Sequence, residues 1–223
     1  MHDYEIQAEK RGYRCVSGVD EAGRGPLAGP VVAAAAVFPP KVQLDGLDDS
    51  KKLSPAKRDQ LFPLIQKTSL GYGIGVVHAD VIDRINILQA SRLAMKLAVE
   101  KLPFSPDLLL IDGIHKIDSS MDQWTIIRGD SQSFSIAAAS VLAKVTRDRI
   151  MEAYHRDYPR YEFHRHKGYG TRVHRERIQQ YGPCPIHRRT FKGVYEYCPR
   201  NEKFAEKGKS PAEILIPVPP FHG

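Results

Sequence analysis

Val16-Ser17-Gly18-Val19-Asp20-Glu21-Ala22-Gly23-Arg24-Gly25-Pro26-Leu27-Ala28-Gly29-Pro30, running on into Val31-Val32-Ala33-Ala34-Ala35-Ala36-Val37-Phe38, decides the architecture. Cys15 to Val19 and Pro30 to Phe38 are short, apolar and bounded by Gly and Pro, which predicts two buried strands joined as a hairpin by a glycine loop. Asp20 and Glu21 stand side by side where the first run ends. Two charged carboxylates about 4 Å apart repel by roughly 4 kcal/mol at an effective dielectric near 20, so a cation belongs between them. The glycines that follow let backbone approach a ligand closely, as in loops that cradle phosphate. A phosphate beside two carboxylates adds a third negative group, and divalent metal is what makes that grouping favourable. Neighbouring strand residues point to opposite faces, so Glu21 joins Asp20 only if the strand breaks, and Ala22-Gly23 is expected to supply the break.

Outward from this stretch, Ser54-Pro55 predicts an N-cap and first-turn proline opening a helix to about Gln66. A third strand is expected over Gly71 to His78, a helix from Asn86 to Lys101, and a fourth strand over Leu108 to Ile111 that stops at Asp112-Gly113. Trp124 to Ile127 is a shorter fifth candidate. Phe134 to Tyr154 reads as the clearest helix, with Phe134, Ala137, Ala138, Val141, Leu142 and Val145 at helical spacing and Ser140, Lys144, Arg147 and Asp148 on the opposite stripe. Strands first, then strands alternating with helices, predict a mixed α/β sheet. The expected division is a catalytic core over 1–155, a small helical region over 156–198, and a flexible tail over 199–223, where the chain turns polar and proline-rich.

The 223 residues carry a formal net charge of +7. Residues 151–209 hold 14 Lys/Arg against 7 Asp/Glu, so this segment accounts for the whole surplus, and they hold seven of the ten tyrosines. Basic residues interleaved with aromatics suit a polyanion whose sugars or bases pack on rings, although a solvated basic surface has the same composition. Cys15, Cys184 and Cys198 are odd in number and form no Cys-x-x-Cys pair, which argues against a disulfide framework or a zinc ribbon. No apolar run reaches the roughly 20 residues of a membrane span, and the first residues lack the pattern of a signal peptide, so a cytoplasmic protein is expected.

Asp112 and Asp130 each close an apolar run, and α/β folds place their sites in such loops at strand ends. Taken singly, Asp112-Gly113 is also an ordinary turn dipeptide and Asp130 before Ser131 a cap. The glycine loop has neither dinucleotide spacing nor the Lys-Ser/Thr of a nucleoside-triphosphate loop, and a plain turn between strands remains open. His164, His166 and His174 lack the partners of a zinc site. Tyr169, between Gly168 and Gly170, is left free to lie against something flat.

These motifs, together with Asp49-Ser50-Lys51-Lys52-Leu53, Gly129-Asp130-Ser131, the Ser135 to Asp148 run and His166-Lys167-Gly168-Tyr169-Gly170-Thr171, resemble bacterial ribonuclease HII from about Gly18 to Phe191. The resemblance implies an RNase H-like mixed five-stranded sheet flanked by helices, with a small helical C-terminal region. It implies an endonuclease that hydrolyses the RNA strand of RNA–DNA hybrids and cuts on the 5′ side of single ribonucleotides in duplex DNA, using two Mn2+ or Mg2+ ions and leaving 3′-hydroxyl and 5′-phosphate ends. Carried over by position, Asp20, Glu21, Asp112 and Asp130 are the metal-binding, catalytic carboxylates. Gly23, Arg24 and Gly25 sense the ribose 2′-hydroxyl, and Tyr169 packs on the neighbouring deoxyribose. Lys51, Lys52, Lys167 and Arg172 are expected to hold phosphates. A monomer is expected, with a replication-clamp contact through the tail. The competing reading is a non-catalytic nucleic-acid-binding module, which metal-dependent strand scission would exclude.

Overall fold

The computed structural model describes residues 1–199. Val16–Ala22 (β1) and Val31–Val37 (β2) form the antiparallel hairpin that the two apolar runs predict, and Gly71–Val77 (β3) pairs antiparallel on the far edge of β2. Leu108–Asp112 (β4) lies parallel to β1, and Asp122–Ile126 (β5) parallel to β4. The described residues thus make a mixed five-stranded sheet in the order β3-β2-β1-β4-β5. The helices are Asp3–Lys10 (α1), Pro55–Thr68 (α2), Ala79–Glu100 (α3), Phe134–Asp157 (α4), Phe163–His166 (α5) and Arg172–Tyr181 (α6).

β2 is buried along its whole length because both faces are covered, which is why it reads as an unbroken apolar run. Val31, Ala33, Ala35 and Val37 pack with Ala90, Ala94, Met95 and Ala98 of α3. Ala34 and Ala36 face Ala138, Val141 and Leu142 of α4 and Leu61 and Ile65 of α2. Small side chains on the sheet let both helices sit close. At Gly18 the approach is closest, since a Cβ there would overlap the backbone of Ser135 and Ile136. The first turn of α4 is therefore seated on β1 two residues before Asp20.

The structure corrects several sequence expectations. β1 ends at Ala22-Gly23 as expected, but too late to turn Glu21 toward Asp20: Asp20, Glu21 and Ala22 pair in regular register with Ala34, Ala33 and Val32, so Asp20 and Glu21 still alternate between faces. α3 starts at Ala79 rather than Asn86. Asn86 is instead an internal restart with φ 67°, its Oδ1 accepting from the amides of Leu88 (3.0 Å) and Gln89 (3.1 Å), so the helix expected from Asn86 is the second segment of a bent one. α1 was not anticipated. It delivers Glu5, whose Oε1 accepts from Ser133 Oγ (2.6 Å), Ser135 N (3.0 Å) and Ser135 Oγ (2.7 Å), fastening the start of α4. The boundary expected at residue 155 falls inside the last turn of α4. No helix among the described residues is long and apolar enough to cross a membrane. The expected tail and its clamp contact lie, beyond Pro199, outside the described residues.

Residues 158–198 pack Tyr161, Phe163, Cys184 and Ile186 on Met151 and Ala28, and Ile178 and Val194 on Leu27. Within this layer His174 and His187 are almost wholly buried. His187 Nδ1 accepts from the Cys184 amide (2.9 Å), so its Nε2 carries the proton and donates to His174 Nε2 (3.0 Å), and His174 Nδ1 donates to the Tyr169 carbonyl (2.9 Å). Burial lowers the pKa of His174 to about 4 and of His187 to about 3, against about 6.5 in an unfolded chain. Below pH 6.5 the unfolded chain takes up protons that the folded one refuses. Stability is thus fully present above pH 6.5 and falls on acidification toward pH 4, by about 1.4 kcal/mol per pH unit for each histidine. Urea unfolding at pH 7.5 and 5.0 measures this, and His187→Asn should flatten the profile.

Candidate active site

Three carboxylates from different elements converge at the carboxyl ends of the parallel strands. Asp20 leaves β1, Asp112 ends β4, and Asp130 sits in the single 3-10 turn Gly129–Ser131 that precedes α4. One oxygen from each lies within 4.8 Å of the others. The geometry is enforced locally. Arg128 adopts a left-handed conformation (φ 56°), which turns the chain so that the Gly129 amide donates to Asp112 Oδ1 (2.7 Å). Asp20 Oδ1 accepts from the Glu21 amide (2.7 Å).

Lys51 completes the group with Nζ 2.8 Å from Asp130 Oδ2. Its loop is tied to α4 and α2: the Ser50 amide donates to Ser140 Oγ (3.3 Å), and Arg58 donates to the carbonyls of Ser50 (2.8 Å) and Leu53 (2.6 Å). Ser140, read as part of a polar stripe, is thus a buried anchor for the lysine loop.

Electrostatics shows a site short of positive charge. Burial, then Glu21 and Asp112, hold the Asp20 carboxyl well above the usual carboxylate range. Asp112 is raised by burial and by Asp130, and Glu21 by burial and Asp112 against the opposing Arg24. For Lys51, burial pulls downward, but the hydrogen bond and charge of Asp130 and the charges of Asp20 and Asp49 win and raise its pKa.

Glu21 takes a different position from the other three. Because β1 stays regular, it faces the α3 side, in a cleft of about 200 Å³ with Arg24, Ser91, Met95 and Asp112. Its Oε1 accepts from Arg24 (3.2 Å), while its buried Oε2 has no partner among the described residues. Four oxygen donors, three converging and one orphaned beside them, fit hard divalent cations such as Mg2+ or Mn2+. Adding either ion should raise the melting temperature, with stabilisation of about 2.7 kcal/mol at a hundredfold excess over Kd. Since the carboxyls must give up protons to bind, the shift should shrink as pH falls. Thermal scans at two pH values check this.

The remaining expected residues form an arc around the carboxylates. Gly23 (φ 100°) is buried above the Arg147 side chain, and Arg24 and Gly25 are exposed. The Tyr169 ring, 43% exposed, lies next to Gly25, with Arg147 Cζ 5.7 Å and Lys144 Nζ 6.0 Å from its centroid. Lys52 pairs with Asp48 (3.1 Å) and Arg172 with Glu176 (3.5 Å), both at the surface. Lys167 turns to Glu152 (2.8 Å) and the His164 carbonyl (2.8 Å). Sequence reasoning missed Arg188, which is wholly buried beneath the glycine loop; its position in the basic C-terminal run made it look like surface charge.

A sequence profile of ribonuclease HII matches residues 17–194. Ribonuclease HII of Geobacter sulfurreducens is 58% identical over 195 residues, covering 87% of this chain and 90% of the relative. Among solved structures, ribonuclease H2 from Pyrococcus horikoshii OT3 superposes with a TM-score of 0.69 at 28% identity, covering 82% of this chain and 97% of its own. Bst-RNase HIII in complex with Mn2+ shares the fold with a TM-score of 0.60 at 21% identity, covering 86% of this chain and 71% of that one.

Proposed function

The chain belongs to the ribonuclease HII family and is an enzyme of the ribonuclease H type, and from that premise we propose that it cuts the RNA strand of RNA–DNA hybrids and the 5′ side of single ribonucleotides in duplex DNA. The observation that carries this reading is the convergence of Asp20, Asp112 and Asp130 within 4.8 Å, beside a loop whose backbone is open to a sugar. Asp20, Glu21, Asp112 and Asp130 are the metal-holding groups. Divalent ions held there would supply an activated water for in-line attack and stabilisation of charge on the leaving 3′-oxygen.

The chain's own residues do the rest. Lys51 neutralises Asp130 and offers its remaining N–H groups to a phosphate. Gly23 to Gly25 bring peptide groups against the ribose, where a hydrogen bond to the 2′-hydroxyl is lost with DNA. A site built to bond a hydroxyl discriminates strongly against substrates that lack it. Tyr169 offers its exposed face to the next sugar. Lys52, Lys167, Arg172 and the basic 156–198 region hold phosphates, and these contacts should weaken as salt rises. The test is a duplex carrying one ribonucleotide beside its all-deoxy and 2′-O-methyl counterparts. Scission confined to the ribonucleotide strand, on its 5′ side, supports the reading; equal scission of all three contradicts it.

A further inference from the structure

Arg147 and Arg188 are two buried guanidiniums that lie under the glycine loop and bond to carbonyls rather than carboxylates. Arg147 donates to the carbonyls of Pro30 (3.0 Å), Lys167 (2.9 Å) and Ala28 (3.1 Å). Arg188 donates to Gly29 (3.0 Å), to Arg24 (2.8 Å), to Pro30 (3.2 Å) and, through Nη2, to Gly23. Burial lowers their pKa values to about 10 and about 9, which leaves both charged at neutral pH. Burying two like charges side by side is costly, and a loop needing only to be folded is served by apolar side chains. The arrangement has a more specific consequence.

A trans peptide holds its C=O and N–H on opposite sides of one plane, and no peptide bond among the described residues is cis. The Gly23 carbonyl, drawn inward to Arg188, turns the Arg24 N–H outward. The Arg24 carbonyl, drawn inward to the same guanidinium, turns the Gly25 N–H outward. Arg24 and Gly25 are exposed, whereas Gly23 and Pro26 on either side are buried. Arg147 reaches neither of these two carbonyls.

We propose that Arg188 is a positioning residue for ribonucleotide selectivity: by pinning the Gly23 and Arg24 carbonyls inward, it presents the Arg24 and Gly25 amides to the 2′-hydroxyl. This rests on the reading of Gly23 to Gly25 as the ribose sensor. A single guanidinium fork fixes two successive peptide planes, which a lysine ammonium, without the planar fork, does not reproduce.

The test measures kcat/KM on a duplex with one ribonucleotide and, in the same metal-containing assay, Ki for the all-deoxy duplex as competitor. Arg188→Lys should lower kcat/KM by about tenfold or more, the scale of a misplaced transition-state contact, with Ki unchanged. Arg147→Lys should lower the melting temperature yet keep the ratio of the two constants. Loss of the ratio in both variants, or its retention in Arg188→Lys, overturns the proposal. Arg188→Gln is the second variant, and failure of both Arg188 variants to fold would assign the residue to the fold alone and overturn it as well. A wild type that binds both duplexes equally would instead sink the loop reading itself.

Discussion

Asp20→Asn should abolish cleavage while leaving the duplex-binding surface intact and the metal-free protein more stable. Asn keeps the shape and the Oδ1 that accepts from the Glu21 amide, so the turn into the glycine loop survives. What it removes is the central negative charge of a group whose oxygens lie within 4.8 Å of Asp112 and Asp130. Metal affinity and the nucleophile it activates depend on that charge, and turnover should fall by on the order of a thousandfold or more. The stability gain follows from the raised pKa of Asp20. At neutral pH its charge is opposed by burial, Glu21 and Asp112, so the ionised form costs the fold stability. That cost is present above its folded pKa and relieved as pH falls through it. Removing that cost should raise the metal-free melting temperature. Wild-type turnover by the variant would remove Asp20 from the metal site; a fall in both activity and stability would point to misfolding.

The second large effect concerns Tyr169. The backbone around it is fastened independently of the ring: its amide donates to His166 O (2.9 Å), and its carbonyl accepts from Thr171 N (2.8 Å) and His174 Nδ1 (2.9 Å). The ring is 43% exposed and stands beside Gly25. Tyr169→Ala should therefore leave the melting temperature unchanged while lowering cleavage at a ribonucleotide–deoxynucleotide junction by about 10- to 100-fold, as expected for a stacking contact of roughly 1–3 kcal/mol. Tyr169→Phe keeps the ring and should restore most of the rate. An unchanged junction rate in the alanine variant would count against stacking.

The sheet and its converging acids were legible because their signals are local. Val31 to Val37 is apolar throughout since both faces are covered, and Asp112 and Asp130 end apolar runs at glycine turns. Other features depend on neighbours distant in the chain. The side Glu21 faces is set by pairing with Ala33, which the glycines following it do not disclose. Helix α1 is short and polar, and what holds it is Glu5 meeting Ser133 and Ser135 more than a hundred residues on. Lys167 shows the same limit, since its pairing with Glu152, fifteen residues earlier in the chain, is set by the packing of the C-terminal layer on α4. Arg147 and Arg188 read as solvent-facing charge because nothing in their flanks reveals that the carbonyls of a remote glycine loop surround them.

The most direct measurement follows one end-labelled duplex containing a single ribonucleotide, with the metal stripped from the protein and then restored as Mg2+ or Mn2+. The account predicts no scission without metal and, on restoration, one cut that leaves a 3′-hydroxyl upstream and a 5′-phosphate on the ribonucleotide. Scission without metal, a cyclic phosphate end, or no cut with either ion would contradict it.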